Sequence, residues 1–431
     1  MIISIDGLIE LGLLEESEVK PLEIKNPAVA EFFKVNAWKE KLFKKAYEKF
    51  ASIKEGELRR KFDEFRAREK YWLDDYGLFM ALKVDNKDKD WTKWADPIKQ
   101  REPEALEKAA ARLANIIEFE EFKQFIFDLQ WAKLHAYARE RNIEILGDMP
   151  IFISADSADA WANQKFFKLN EDGTPKKVAG VPPDYFSATG QLWGNPQYDW
   201  DEMELDKYSW WKLRLKKLLE IVDMVRIDHF RGFEAYWEID STEKTAINGK
   251  WIKGPGMSLF TELGRDINEL SRRIVAEDLG VITDEVEQLR LDCGFPGMKI
   301  LHFELHFNED GRIGFMSPEN SLVYTGTHDN NTTVGWFMED VDEVSKVVIA
   351  KLIGADARRP DDVCSKLIEF AYASNSRFAI IPMQDVLKLD SGSRMNTPGT
   401  VGTNWSWRLQ PDYRLESEAG KLKALCNKYK R

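Results

Sequence analysis

The chain has 431 residues, 43% of them apolar and 32% charged, which is enough to bury a large core and excludes a disordered chain. Its 62 basic and 74 acidic side chains leave a net charge of -12, a balance that repels phosphate backbones and anionic membranes and argues against a nucleic-acid partner. Cys293, Cys364 and Cys426 form no CxxC pair, so neither a disulfide framework nor a zinc knuckle is indicated, and a reducing, cytoplasmic setting is expected.

The opening stretch, Met1 to Leu14, is interrupted by Asp6 and Glu10 and lacks a basic start. It reads neither as a signal peptide nor as a membrane span. From about Pro27 to Asn142 the chain is rich in Lys, Glu, Ala and Leu, with apolar residues at helical spacing, for example Phe122, Phe125, Ile126 and Leu129. Residues 1–142 are therefore read as a mainly helical subdomain, and charge runs such as Glu57 to Lys70 as its solvated faces.

After residue 142 the pattern changes to short apolar runs ending in polar clusters, most of them followed by helix-like sequence. The runs are Ile143–Ile151, Met224–Asp228, Arg273–Asp278, Met298–Glu304, Leu322–Asp329 and Phe378–Asp385. Asp228, Glu277, Glu304, Asp329 and Asp385 stand at or beside five of their C-terminal ends, and Asp148 stands near the sixth. Buried parallel strands that deliver carboxylates from one end describe an α/β fold, the (β/α)8 TIM barrel, here with helical insertions. Six of its eight strands are found. A doubly wound open sheet is the rival, weakened by the absence of a GxGxxG or GxxxxGK[ST] turn.

The segment Val225-Arg226-Ile227-Asp228-His229-Phe230-Arg231-Gly232 is the sharpest motif. On a strand, Arg226 and Asp228 share a face, and a guanidinium beside a carboxylate keeps it ionised, as a nucleophile requires. Taken alone, the pair reads better as a structural ion pair at a strand end than as catalytic machinery. In Ala276-Glu277-Asp278-Leu279-Gly280 the glutamate follows an apolar run, where desolvation and neighbouring carboxylates would raise its pKa and suit it to acid/base work. The bland reading there is a helix N-cap, with Asp278 the natural candidate. A third carboxylate, Asp329, lies in Thr325-Gly326-Thr327-His328-Asp329-Asn330-Asn331, which is polar out of proportion to any packing role. Two carboxylates of different pKa are the minimum machinery for cleaving a glycosidic bond.

A long loop is expected over Val178 to Tyr198, its shape set by Gly and Pro. Tyr185, Phe186 and Trp193 offer ring faces there, and Asp184 and Gln191 offer hydrogen bonds, a combination that suits a sugar or simply staples the loop. His302, Glu304 and His306 alternate along an expected strand. Ligands spaced along one extended strand seldom converge on one ion, so no metal is assigned, and nothing in the chain calls for a cofactor.

At these motifs the chain resembles the amylomaltases, the 4-α-glucanotransferases of glycoside hydrolase family 77. The matching segments are Gly147–Phe152, Asp156–Trp161, Val178–Pro196, Val225–Phe233, Gly249–Leu263, Ala276–Thr283, Tyr324–Thr332, Ile381–Leu387 and Arg394–Arg408. The resemblance implies a cofactor-free barrel enzyme that moves a segment of an α-1,4-glucan or maltooligosaccharide to an acceptor, glucose included, by a retaining double displacement. It makes Asp228 the nucleophile, Glu277 the acid/base and Asp329 the third carboxylate, with Arg226 supporting the nucleophile and His229 and His328 touching the same sugar. Tyr185, Gln191 and Trp193 would lie along the glucan groove, and Asn248 to Gly256 would be a flexible loop over it. Residues 143–431 would then carry barrel strands three to eight, the family's first two strands preceding a segment like Ile2 to Leu14. Net hydrolysis of α-glucans, and a non-catalytic glucan-binding protein, are the alternative readings.

Overall fold

A computed structural model describes residues 2–183, 187–305, 315, 317–413 and 415–431. They divide into two compact units. The first comprises Met1–Leu22, Lys34–Glu277 and Val281–Cys293, and the second comprises Glu23–Phe33, Asp278–Gly280 and Gly294–Arg431.

Three long helices dominate the chain before its first strand: α1 (Phe32–Ser52), α2 (Glu57–Asp85) and α3 (Pro103–Arg139). Proline at the first position of α3 gives up an amide that has no helical partner there anyway. One stripe of α3, Phe119, Phe122, Phe125 and Ile126, is buried against Phe50, Phe62, Phe65 and Leu73. A second apolar cluster gathers Phe79, Trp94 and Trp161, whose rings meet at 5.4 to 5.9 Å in the tilted and edge-on arrangements that aromatic quadrupoles favour.

The strands follow as β1 (Leu146–Met149), β2 (Lys177–Val181), β3 (Gln191–Pro196), β4 (Met224–Ile227), β5 (Ala235–Asp240), β6 (Lys250–Lys253), β7 (Ile274–Ala276), β8 (Gly297–Ile300), β9 (Ser321–Tyr324) and β10 (Phe378–Ile380). Each of the six expected runs coincides with one of the parallel strands, β8 and β9 starting one residue earlier than expected. In the first unit β1, β4 and β7 form a parallel sheet in that order, and in the second β10, β9 and β8 form another. Their residues are apolar almost throughout, as sheets covered on both faces require. Around the second sheet, Leu301, Val323, Trp336 and Phe337 pack with Ile349 and Ala350 of one helix and Val363, Leu367 and Ala371 of another.

Four sequence expectations are corrected here. Residues 178–198 are not one long loop: β2 and β3 pair antiparallel and join β5 and β6 in a four-stranded sheet. The stretch from Asn248 to Gly256, expected as a loop, contains β6, tied to β5 from Glu238↔Lys250 to Ala235↔Lys253. The run Met298–Glu304 is strand only to Ile300, and Leu301–Glu304 is a helical turn, so His302 and Glu304 do not alternate on a strand; His306 lies outside the described residues. Asp385 likewise sits in a helical turn, Met383–Val386, beyond β10. Among the described residues no helix is long and apolar enough to cross a membrane.

Candidate active site

Register aligns the polar ends of the first unit's parallel sheet. Asp148 pairs with Arg226 and Met149 with Ile227 across β1 and β4, while Arg226 pairs with Val275 and Ile227 with Ala276 across β4 and β7. The ladder continues past the strand ends: Asp228 N–H donates to the Met149 carbonyl at 3.0 Å and Glu277 N–H to the Ile227 carbonyl at 3.0 Å. Asp148, Asp228 and Glu277 are thereby delivered to one edge of one sheet.

Val225 and Ile227 are fully buried, which turns Arg226 and Asp228 to the other face of the strand. Arg226 Nε and Nη2 donate to the two Asp148 carboxylate oxygens at 2.8 and 2.9 Å. Nη2 also stands 2.9 Å from Asp228 Oδ1. Burial alone would lower the Arg226 pKa, but hydrogen bonding to Asp148 and the charges of Asp148, Asp228 and Glu277 outweigh it and raise it. The side chain of Asp228 remains 42% exposed, so the carboxylate is open to a substrate while its neighbour is locked.

Directly after Asp228, His229 adopts a left-handed backbone with φ of 53°. That bend aims its N–H at Glu277 Oε2, 2.7 Å away, and starts the buried helical turn Phe230–Phe233. Phe230 N–H donates to the Glu277 carbonyl at 3.1 Å. Burial first, and the charge of Arg231 second, push the His229 pKa down to about 4. The ring is therefore neutral at physiological pH, and its Nε2 is buried with no described partner. Trp193 of β3 meets that ring edge-on at 5.0 Å, and its indole N–H donates to Gln191 Oε1 at 3.1 Å. Trp193 is 38% exposed, so a ring face is left for an apolar surface. Asp184 and Tyr185, the other groove candidates, lie outside the described residues, as does Phe186.

Asp329 belongs to the second unit. Its Oδ1 accepts from Asn396 Nδ2 at 2.6 Å, and its backbone carbonyl from Arg394 Nη2 at 2.7 Å. His328 Nε2 stands 3.5 Å from Asp329 Oδ2, and its ring lies 5.0 Å from that of Trp405. Asp329 is 47% exposed, in contrast to the deeply buried Asp385 nearby in the fold. Asp278, the supposed N-cap, instead accepts from Met298 N–H of β8 at 2.7 Å, and the following helix starts at Asp284.

Asp148, Arg394 and Asn396 are site neighbours that the sequence motifs do not assign a role. The strand-end acid pattern held the signal for Asp148; for Arg394 and Asn396 only the segment Arg394–Arg408 did. No group of three or more His, Cys, Asp and Glu among the described residues could hold a metal.

The whole stretch of residues 1–414 matches glycoside hydrolase family 77, described as 4-alpha-glucanotransferase. A 4-alpha-glucanotransferase of Streptococcus pneumoniae is 43% identical over 95% of this chain and 80% of its own. One from Synechocystis is 44% identical over 100% of this chain and 85% of its own. The fold of an amylomaltase from Streptococcus agalactiae, solved in complex with acarbose, superposes with a TM-score of 0.94 at 35% identity, covering 100% of this chain and 86% of that one.

Proposed function

The chain belongs to the 4-α-glucanotransferases of glycoside hydrolase family 77, and on that premise we propose which of its residues carry out the transfer. The Asp228 carboxylate attacks the anomeric carbon of an α-1,4-linked glucose. Glu277 gives its proton to the glycosidic oxygen, the bond from that oxygen to the anomeric carbon breaks, and the reducing-end fragment departs. The resulting glycosyl ester on Asp228 is then attacked by the 4-OH of an acceptor, glucose or a maltooligosaccharide. Glu277 takes the hydroxyl proton and Asp228 leaves as carboxylate. Two inversions give net retention.

The observation that carries this reading is the locked guanidinium. Arg226, gripped through Nε and Nη2 by the two oxygens of Asp148, sets its positive charge against the Asp228 carboxylate, while Glu277 is anchored at the neighbouring strand end. Glu277 Oε2 accepts from the His229 amide, a contact that by itself favours the carboxylate form. Asp329 holds the distorted sugar at the cleavage subsite, and His229 and His328 contact the same sugar. Trp193 stacks on a glucose face, with Gln191, Asp184 and Tyr185 along the glucan. The acarbose held by the Streptococcus agalactiae relative is consistent with a substrate of this class.

The six parallel strands fit strands three to eight of a (β/α)8 barrel carried by residues 143–431, with 1–142 as a helical insertion. Three free cysteines support a cytoplasmic setting.

Incubation with maltotriose tests the reading: a ladder of longer chains together with glucose marks transfer, and glucose and maltose alone mark hydrolysis. Asp228→Asn and Glu277→Gln should each lower kcat on the order of 10³-fold or more with an unchanged circular dichroism spectrum. Substantial turnover in either variant rejects the assignment.

A further inference from the structure

Between β9 and the helical turn Thr333–Gly335 the second unit carries the loop that bears His328 and Asp329. Both ends of this loop are fastened to one side chain from elsewhere in the chain. Asp385 Oδ2 accepts from Thr325 Oγ1 at 2.5 Å and from Thr333 Oγ1 at 2.7 Å, and its Oδ1 accepts from Thr333 N–H at 2.7 Å. Asp385 is 1% exposed, and Thr325 and Thr333 are wholly buried.

The fastening has a second layer. Thr333 Oγ1 spends its single proton on Asp385, so the 3.0 Å contact with His302 Nε2 requires the histidine to donate. His302 then presents a bare Nδ1, which has no described partner and faces Gly326; a Cβ there would lie 2.8 Å from Nδ1 and 2.7 Å from Cε1. The ring is stacked on Trp336 at 4.4 Å and 10°. Inside the loop, Thr327 N–H and Oγ1 both donate to Asn330 Oδ1 at 2.8 Å. Each segment of the loop is thus held against a neighbour: Arg394 holds the Asp329 carbonyl, and Asp385 is the charge that fastens Thr325 and Thr333 at the two ends.

We propose that Asp385 is a positioning residue for the transfer reaction: by clamping Thr325 and Thr333 it sets the place of Asp329. This rests on the assignment of Asp329 to the reacting sugar. A carboxylate suits the task because two oxygens must accept from three donors, and charge-assisted bonds are shorter and stiffer than those to an amide. An asparagine keeps the size of the group but replaces one acceptor by a donor, so at least one loop end must rearrange. A displacement of about 1 Å at a site can cost on the order of 10²-fold in rate.

The experiment is a double-mutant cycle on purified full-length chain, with maltotriose as substrate and variants Asp385→Asn, Asp329→Asn and the pair. The expected result is a kcat about 10²-fold lower for Asp385→Asn, with KM within about 3-fold of the parent, and no further loss when the change is added to Asp329→Asn. A purely structural role would lower melting temperature and the amount of active enzyme but would multiply with Asp329→Asn. Parental kcat in folded Asp385→Asn, or fully multiplicative losses, overturns the proposal. Should Asp385→Asn fail to fold, Thr325→Val removes one clamped end while two donors remain, and the same cycle with Asp329→Asn decides by the same criteria. Undiminished turnover of Asp329→Asn alone would instead reject the assignment of Asp329, an outcome distinct from an inactive Asp329→Asn beside a fully active Asp385→Asn.

Discussion

Arg226 stands between two carboxylates, and what it contributes depends on its shape as much as on its charge. The fork engages both oxygens of Asp148 through Nε and Nη2, and Nη2 is shared with Asp228. A lysine ammonium in the same place is a point charge that cannot keep both contacts in fixed geometry. Arg226→Lys is therefore expected to lower kcat/KM for maltotriose by roughly 10- to 10²-fold while the fold survives. Steady-state kinetics beside circular dichroism checks this, and near-parental kinetics would show that charge alone is sufficient. The motif around Asp228 was legible because strand alternation places residues two apart on one face. The role of Asp148 was not, because it arises from a partner 78 residues away whose register no local pattern specifies.

At the scale of elements, β2 and β3 decide where Gln191 and Trp193 sit. Gly180 in β2 is packed so closely that a Cβ would fall 2.2 Å from the Gln191 carbonyl oxygen and 2.7 Å from Ile239 Cδ1. The first of these is backbone and cannot yield by a rotamer change, so Gly180→Ala must push β3 outward. The expected outcome is a loss of about 1–3 kcal/mol of stability, the usual cost of overpacking, together with a higher KM for maltotriose. Thermal melts and kinetics would check it; an unchanged KM would separate β3 from substrate binding. This sheet is also where a loop was expected. Glycine and proline there are local signals of a turn, whereas the strands are stabilised by β5, whose pairing Val178↔Ile239 spans the intervening chain. The register shift between Val178 and Gly180 further breaks the simple alternation that marks a strand.

For the whole molecule, buried histidines couple stability to pH. Burial pushes the His302 pKa down to about 3 from an ordinary value near 6.5. Between those values the unfolded chain binds a proton that the folded chain does not, so stability is fully present above about 6.5 and is lost as pH falls toward 3. His229, down to about 4, acts with the same sign over its own window. Asp385, raised chiefly by burial, acts with the opposite sign above the usual carboxylate range. Moving from about pH 7.5 to about pH 5 should cost about 2 kcal/mol through His302 alone. His302→Gln should accordingly show a smaller fall in melting temperature over that interval than the parent chain. Equal falls in both proteins would reject the linkage.

The amino-acid sequence by itself determined the six parallel strands, the long helices before them and the carboxylates of Asp148, Asp228 and Glu277 at or near strand ends. These are written in continuous apolar runs, helical spacing and polar clusters, all of which act over a few residues. Only the tertiary structure decided that Asp148 locks Arg226, that Gln191 and Trp193 ride on an antiparallel sheet, and that Asp385 closes both ends of the loop carrying Asp329. Each of these depends on side chains or strands separated by tens of residues, 52 and 60 in the case of the Asp385 clamp. A hydrogen bond or a backbone contact at such separations exists only once the intervening chain has packed, and its partners leave no periodicity behind.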